Sequence, residues 1–271
     1  MPRIVEMELR QSALDAFCLS DLPAKLAAVE ALWQRLPSLT LDCEAPLPDP
    51  WQPGRPPRPA LVEPQQVPRR SPFTANGYAA LIHSIAHIEF NAINLALDAV
   101  WRFGGMPSAY YADWMRVAHE EAHHFSLLQS HLQALGFSYG DFAAHDGLWT
   151  MCERTRDSVV ARMALVPRTL EARGLDATPQ IQAKLRTVGS AMALEAVSLL
   201  DLILKEEVGH VAIGNRWYHW LCQRDGLEPQ RYFEEMALLH GAPKPKPPLN
   251  REARRLAGFT EAELQAMTTN S

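Results

Sequence analysis

Two short strings, EEAHHF at residues 120–125 and EEVGH at residues 206–210, place glutamate and histidine three positions apart. On a helix that spacing puts both side chains on one face, where they can bind a single ion. A carboxylate with an imidazole suits divalent iron, manganese or zinc. One Glu-x-x-His step arises by chance in many helices, but two on separate long helices, each surrounded by apolar residues, form a stronger signal. Carboxylate-bridged di-metal bundles complete such a set with one further glutamate from each of the other two helices.

Both registers of the paired motifs stay open on spacing. Glu121 with His124 and Glu120 with His123 are equivalent three-step pairs, and Glu206 can reach His210 at four steps as Glu207 does at three. Adjacent helical residues point about 100° apart, so only one register faces the core. The first extra glutamate is Glu89, the sole acid in the apolar run from Ala79 to Leu97, beside Ile85, Ile88, Ala92 and Ala96. A carboxylate there is costly to bury unless it is paired or binds metal. For the other, spacing favours Glu171 over Glu153 without deciding between them. Glu195 is a poor competitor, because it shares a helix with Glu207 and lies about 18 Å along its axis.

The elements that must carry these residues are helical. Apolar residues recur at helical steps from Leu9 to Leu36, and the segment from Cys43 to Pro72 is then dense in proline. With Trp51, Leu61 and Val62 to bury, it reads as an extended arm wrapped on the bundle. Four long helices follow. The first runs from Thr74 or Asn76 to Phe103, the second from Ser108 to Leu135, and the third from Gly147 to Arg173 with Gly174 as its stop. A short helix opening at Pro179 leads to the fourth, from Ser190 to Arg224. The tail carries a second proline-rich stretch, His240 to Pro248, and a short amphipathic helix near Thr260 to Met267. No strand pattern is evident. The expected fold is all-α, a four-helix bundle with an N-terminal helix and proline-rich arms. Its expected divisions are 1–73, 74–226 and 227–271.

Composition agrees with one large core: 47% of the 271 residues are hydrophobic and 21% charged. A net charge of -5 gives no global basic field for nucleic acid or anionic membrane. Cys18, Cys43, Cys152 and Cys222 share no C-x-x-C spacing, which argues for free thiols over a zinc ribbon or redox pair. The opening MPRIVEMELRQ has no apolar core of a secretory signal, and no apolar run reaches the length of a membrane span. The expected location is the cytoplasm.

The strings HSIAHIE, LALDAVWRF, YYADWMRVAHEEAHHF, YGDFAAHDGLW, LVPRTLEARGLDATP, EEVGHV and PPLNREARRLAGF, in that order, cover most of the chain. Together they resemble a bacterial ferritin-like family known only as a domain of unknown function. The resemblance implies the ferritin-like bundle and, as ligands, Glu89, Glu121, His124, Glu171, Glu207 and His210. Relatives usually carry another residue, often aromatic, at the place of His123, which favours His124. The EAR of LEARG is also similar to the third-helix motif of non-haem di-iron tRNA hydroxylases, a short likeness that supports Glu171 as a ligand more than a tRNA substrate.

Other polar residues have plainer readings. His83 and His87 either orient a ligand carboxylate or are satisfied core histidines. His145 and Asp146 read as a cap and loop anchor, Trp101, Trp114, Trp149 and Trp217 as packing, and Tyr110 and Tyr111 as packing more than radical carriers. Arg251, Arg254 and Arg255, with Lys244 and Lys246, read as a solvated tail, which disfavours nucleic acid as a partner. The expected cofactor is a pair of metal ions, iron first and manganese second. The leading function is an oxidase or hydroxylase that uses dioxygen on a small organic molecule, a modified nucleoside among the candidates, with a homodimer as a candidate assembly. The alternatives are an iron-oxidising or iron-binding protein without organic substrate, and a partner-binding bundle.

Overall fold

A computed structural model describes residues 7–269, and every described element with regular structure is helical. Residues Met1–Glu6, part of the opening read above for a secretory signal, lie outside the described residues. The chain divides into two compact units: residues through Arg70 with Ala75–Asp146, and Ser71–Thr74 with the chain from Gly147 onward.

The first unit opens with α1 (Leu9–Cys18) and α2 (Leu22–Arg35), where a single helix was expected. The break follows from local chemistry. Asp21 accepts the Ala24 N–H at 3.0 Å as an N-cap, and Pro23 sits in the first turn of the new helix. Helix α3 (Ala75–Arg102) and helix α4 (Ser108–Ala134) form the body of this unit, with α1 against α3 and α2 against α4. Gly104, Gly105 and Pro107 separate α3 and α4, as the sequence predicts. Helix α3 is buried around almost its whole circumference, which explains its apolar character. It is long and apolar enough to cross a membrane by composition, and 78% of the qualifying window is buried inside the protein.

The proline-rich segment is the extended arm that was expected, but its anchors are different. Trp51 is 67% exposed and Leu61 44%. Backbone contacts hold the arm instead. Gly54 N–H donates to Phe17 O at 2.9 Å, and a Cβ at Gly54 would lie 2.1 Å from Cys18 O. Ala60 and Val62 bracket Ala144 through a short parallel bridge. Arg55 pairs with Asp146 at 2.8 Å, giving Asp146 the anchoring role expected of it. Buried Arg10 donates to Trp101 O, one of the last carbonyls of α3, and to the carbonyls of Asp42, Cys43 and Ala45, which ties the start of the arm to the end of that helix.

His83 and His87 are satisfied core histidines. His83 Nε2 accepts the Gly140 N–H at 2.9 Å, and His87 Nδ1 lies 2.9 Å from the Tyr139 hydroxyl. Burial lowers the His83 pKa to about 4 and that of His87 to about 3. An unfolded histidine near 6.5 takes a proton that these two refuse, so their contribution is complete above pH 6.5 and is lost as pH falls towards 4. The melting temperature should fall through that window. A His83→Gln variant, which keeps an acceptor but cannot titrate, should show a shallower fall; an unchanged profile would remove His83 from the account.

In the second unit the predicted third helix is not continuous. Helix α5 (Gly147–Arg154) ends at Thr155–Ser158, and α6 (Val159–Leu165) begins with Ser158 accepting the Ala161 N–H at 3.2 Å. Buried Arg162 bridges this break through Thr155 Oγ1 and Cys152 O. The backbone then widens into a π-helical turn, Val166–Glu171, before α7 (Ala172–Val188). Pro167 removes the donor that would continue α6, and Thr169 Oγ1 donates back to Ala164 O at 2.8 Å.

Helix α7 runs through both Gly174 and Pro179, where a stop and a fresh start were expected. Pro179 leaves Leu175 O without its helical donor, and Asn250 Nδ2 supplies one at 3.2 Å. Helix α8 (Ala191–Asp225) begins at its Ser190 cap and packs on α7, α6 and the π-turn. Two tail helices escaped the sequence reading, α9 (Pro229–Leu239) and α10 (Arg251–Leu256); the expected last helix is α11 (Glu261–Thr269). Ala253, Ala257, Phe259 and Leu264 from the tail share a core with Ala172, Leu175 and Val211.

Candidate metal centre

Glu121 and His124 stand on one stripe of α4 with Trp114, Val117, Ala118, Phe125 and Leu128, all buried. That stripe settles the register: Glu121 and His124 are fully buried, whereas His123 is exposed and Glu120 pairs with Arg116 at 2.8 Å. The signal was present in the sequence, because Val117, Ala118 and Trp114 precede Glu121 by four, three and seven positions. On α3, Glu89 is buried. Ile88, expected beside it on the core face, is 52% exposed.

Glu89, Glu121 and His124 each bring one ligand-type atom to within 4.8 Å of the others. His124 Nδ1 lies 3.3 Å from Glu89 Oε2 and 3.4 Å from Glu121 Oε2, without the alignment of hydrogen bonds. Glu89 Oε2 is buried and finds no hydrogen-bond donor among the described residues. Two carboxylates and an imidazole brought this close in the interior are a donor set that suits a cation, and this buried cluster could hold a metal ion.

The electrostatics describe the cost of this arrangement. Burial, then the neighbouring Glu121 carboxylate, push the Glu89 pKa up to about 8. Burial opposes protonation of His124, but the two carboxylates outweigh it and carry its pKa up to about 11. Without a cation, the cluster keeps protons at neutral pH that free side chains would release.

In the second unit, His210 Nδ1 lies 3.5 Å from Glu207 Oε1 on α8. His210 is fully buried, and the Glu207 side chain is 13% exposed. Glu171, at the end of the π-turn, is buried, whereas Glu153 on α5 is half-buried and Glu195 on α8 is exposed. The π-turn can lie close to α8 because residue 214 is glycine. A Cβ there would meet Pro167 Cβ at 2.4 Å and Cγ at 2.6 Å. Gly214→Ala should therefore displace the turn that carries Glu171 and destabilise the protein by about 1–3 kcal/mol. Urea unfolding checks this, and an unchanged midpoint would show that the turn yields without cost.

The remaining polar candidates have structural partners. Tyr111 Oη donates to Phe103 O at 3.0 Å and accepts the Met106 N–H at 3.2 Å. Arg254, read as part of a solvated tail, is instead buried against Asp176, while Arg251 and Arg255 pair with Glu261.

Comparison with known proteins places the chain. The model of a family described as a protein of unknown function, DUF455, matches residues 18–265. The chain belongs to the DUF455 family. A Haemophilus influenzae relative, described as an uncharacterized protein, is 51% identical over 216 residues, covering 77% of this chain and 74% of the relative. No solved structure matches. The family match spans both units and every residue of the two Glu-x-x-His motifs.

Proposed function

We propose that this DUF455 protein is a ferritin-like, non-haem di-metal carboxylate protein that uses iron, with manganese as the substitute, to oxidise a small organic molecule. Glu89, Glu121 and His124 would serve one ion; Glu171, Glu207 and His210 would serve the other. The observation that carries the reading is the buried cluster of Glu89, Glu121 and His124, with a buried Glu89 oxygen that has no donor. The repeat of the Glu-x-x-His step on α8, with a buried glutamate in the π-turn of the same unit, supports a second site. Each half follows the donor pattern of ferritin-like di-metal bundles.

Bound ferrous iron would supply electrons for dioxygen reduction. The chain's own work is to supply anionic oxygens and neutral imidazole from a water-poor interior. Glu89 and His124 must give up protons as a cation enters. The proposed partners are dioxygen and a small organic substrate, a modified nucleoside among the candidates, and the proposed location is the cytoplasm.

Metal content tests this directly. Protein purified from iron-supplemented cells should carry about two iron or manganese ions per chain by mass spectrometry. A Glu121→Ala, Glu207→Ala double variant should lose them. Little metal in the unaltered protein would sink the redox reading. Iron without oxygen consumption on any organic substrate would move the assignment to iron handling.

A further inference from the structure

The π-turn Val166–Glu171 cannot fix its own position in the C-terminal unit. Pro167 has no N–H to give, and single π-turns are rare departures from the regular helix. What sets the height of Glu171 along α8 must come from outside the turn. Gly214 lets Pro167 lie against α8, but contact between apolar groups is non-directional and does not by itself choose a position along the helix.

Arg168 supplies the directional link. It lies three residues before Glu171 and is almost fully buried. Nη1 donates to Asn215 Oδ1 at 2.7 Å, and Nη2 donates to Glu263 on α11. Asn215 stands on α8 five residues after His210, about 7.5 Å along the axis at 1.5 Å per residue. Its Nδ2 donates in turn to Ala257 O, at the end of α10, at 2.6 Å. The guanidinium also lies over the rings of Tyr218, Phe233 and Phe259, at 5.1, 5.5 and 4.8 Å. A planar fork of donors that also stacks on aromatic faces is held in one orientation, which a lysine could not reproduce.

We propose that Arg168 is a positioning residue for the second ion: its bond to Asn215 sets the place of Glu171 relative to Glu207 and His210, and its bond to Glu263 makes that place depend on the tail. The inference rests on the reading of Glu171, Glu207 and His210 as ligands. Arg168 offers only donors and a positive charge, so it cannot itself be a ligand; it acts through the turn. Removing a partner one step behind a ligand typically costs roughly 10–100-fold in metal affinity. The ion assigned to Glu89, Glu121 and His124, in the other unit, serves as the internal reference.

Titration of the full chain with Mn2+, the free ion being counted by electron paramagnetic resonance, tests it. The unaltered chain should bind about two ions. Arg168→Met and Asn215→Ala should each weaken one of them about tenfold or more and leave the other unchanged. In a Glu207→Ala background, Arg168→Met should not alter the affinity of the ion that remains, which assigns the loss to the second centre. Leu185→Ala removes buried packing far along α7 from the turn; it should leave both affinities unchanged despite its cost in stability. Asn215→Ala leaves Arg168 paired with Glu263, so it decides even if Arg168→Met does not fold. Two ions bound as tightly as before in Asn215→Ala, an equal loss of both, or the same selective loss in Leu185→Ala would overturn the proposal. An unaltered chain that binds fewer than two ions would instead reject the second centre, and the proposal with it.

Discussion

Replacing Glu89 with glutamine should abolish tight metal binding while leaving the metal-free protein as stable as before. The Glu89 carboxyl is neutral at pH 7 in the metal-free state, because its pKa is pushed up to about 8 by burial and by Glu121. Glutamine matches that neutral form in shape and cannot become an anion. The stability change should therefore stay within about 1 kcal/mol, while metal affinity falls by more than the roughly 10–100-fold that outer partners of ligands cost. If the cluster were instead a structural ion pair, removing one member would cost about 3–5 kcal/mol. Paired calorimetric metal titration and thermal melting separate the two cases, and a large stability loss without a loss of metal would reject the ligand reading.

The same pKa displacement sets the pH dependence. Glu89 holds its proton in the folded, metal-free protein between about 4.5 and 8, where an unfolded glutamate has released it. The folded state binds more protons in that window, so this group's stabilising contribution falls as pH rises through it. Metal binding must expel the proton, so affinity should rise with pH, with Glu89 contributing to the slope up to about 8 and His124 up to about 11. Glu89→Gln should remove the Glu89 part of the slope.

The second large effect lies far along the chain. Arg254→Met should destabilise the C-terminal unit by about 3–5 kcal/mol, because it strands a buried carboxylate. Arg254 is 1% exposed, donates to both oxygens of Asp176 and also reaches Ala172 O. With Asn250, which caps the carbonyl freed by Pro179, it staples the tail to α7. Arg255→Met, one residue on, removes only an exposed pairing with Glu261 and should leave the melting temperature unchanged. Hydrogen exchange in α10 and α11 would report the difference. Equal effects of the two substitutions would show that burial of Arg254 is not what holds the tail.

The existence of α3, α4 and α8, and their ends within a residue or two, could be read from periodicity and from Gly104–Gly105, Gly136 and Ser190, because long amphipathic or apolar helices carry their own local signals. The two Glu-x-x-His steps were legible as candidates for the same reason, because a three-residue step on a helix fixes a common face without knowledge of any neighbour, although spacing left their register open. What α4 does with that face was also written in Trp114, Val117 and Ala118. Other features depended on partners distant in sequence. Helix α7 passes through Pro179 only because Asn250, more than seventy residues later, replaces the missing donor. The π-turn that positions Glu171 needs the bare backbone of Gly214 against Pro167. The proline-rich arm is tied down by backbone bonds to Phe17 and Ala144 and by the Arg55–Asp146 pair, while its tryptophan is mostly exposed. Residue types and spacing thus determined the helices and the chemistry they could carry. Only tertiary structure decided which irregular turns were stable, because their unmatched donors and acceptors are completed by residues far away in the chain.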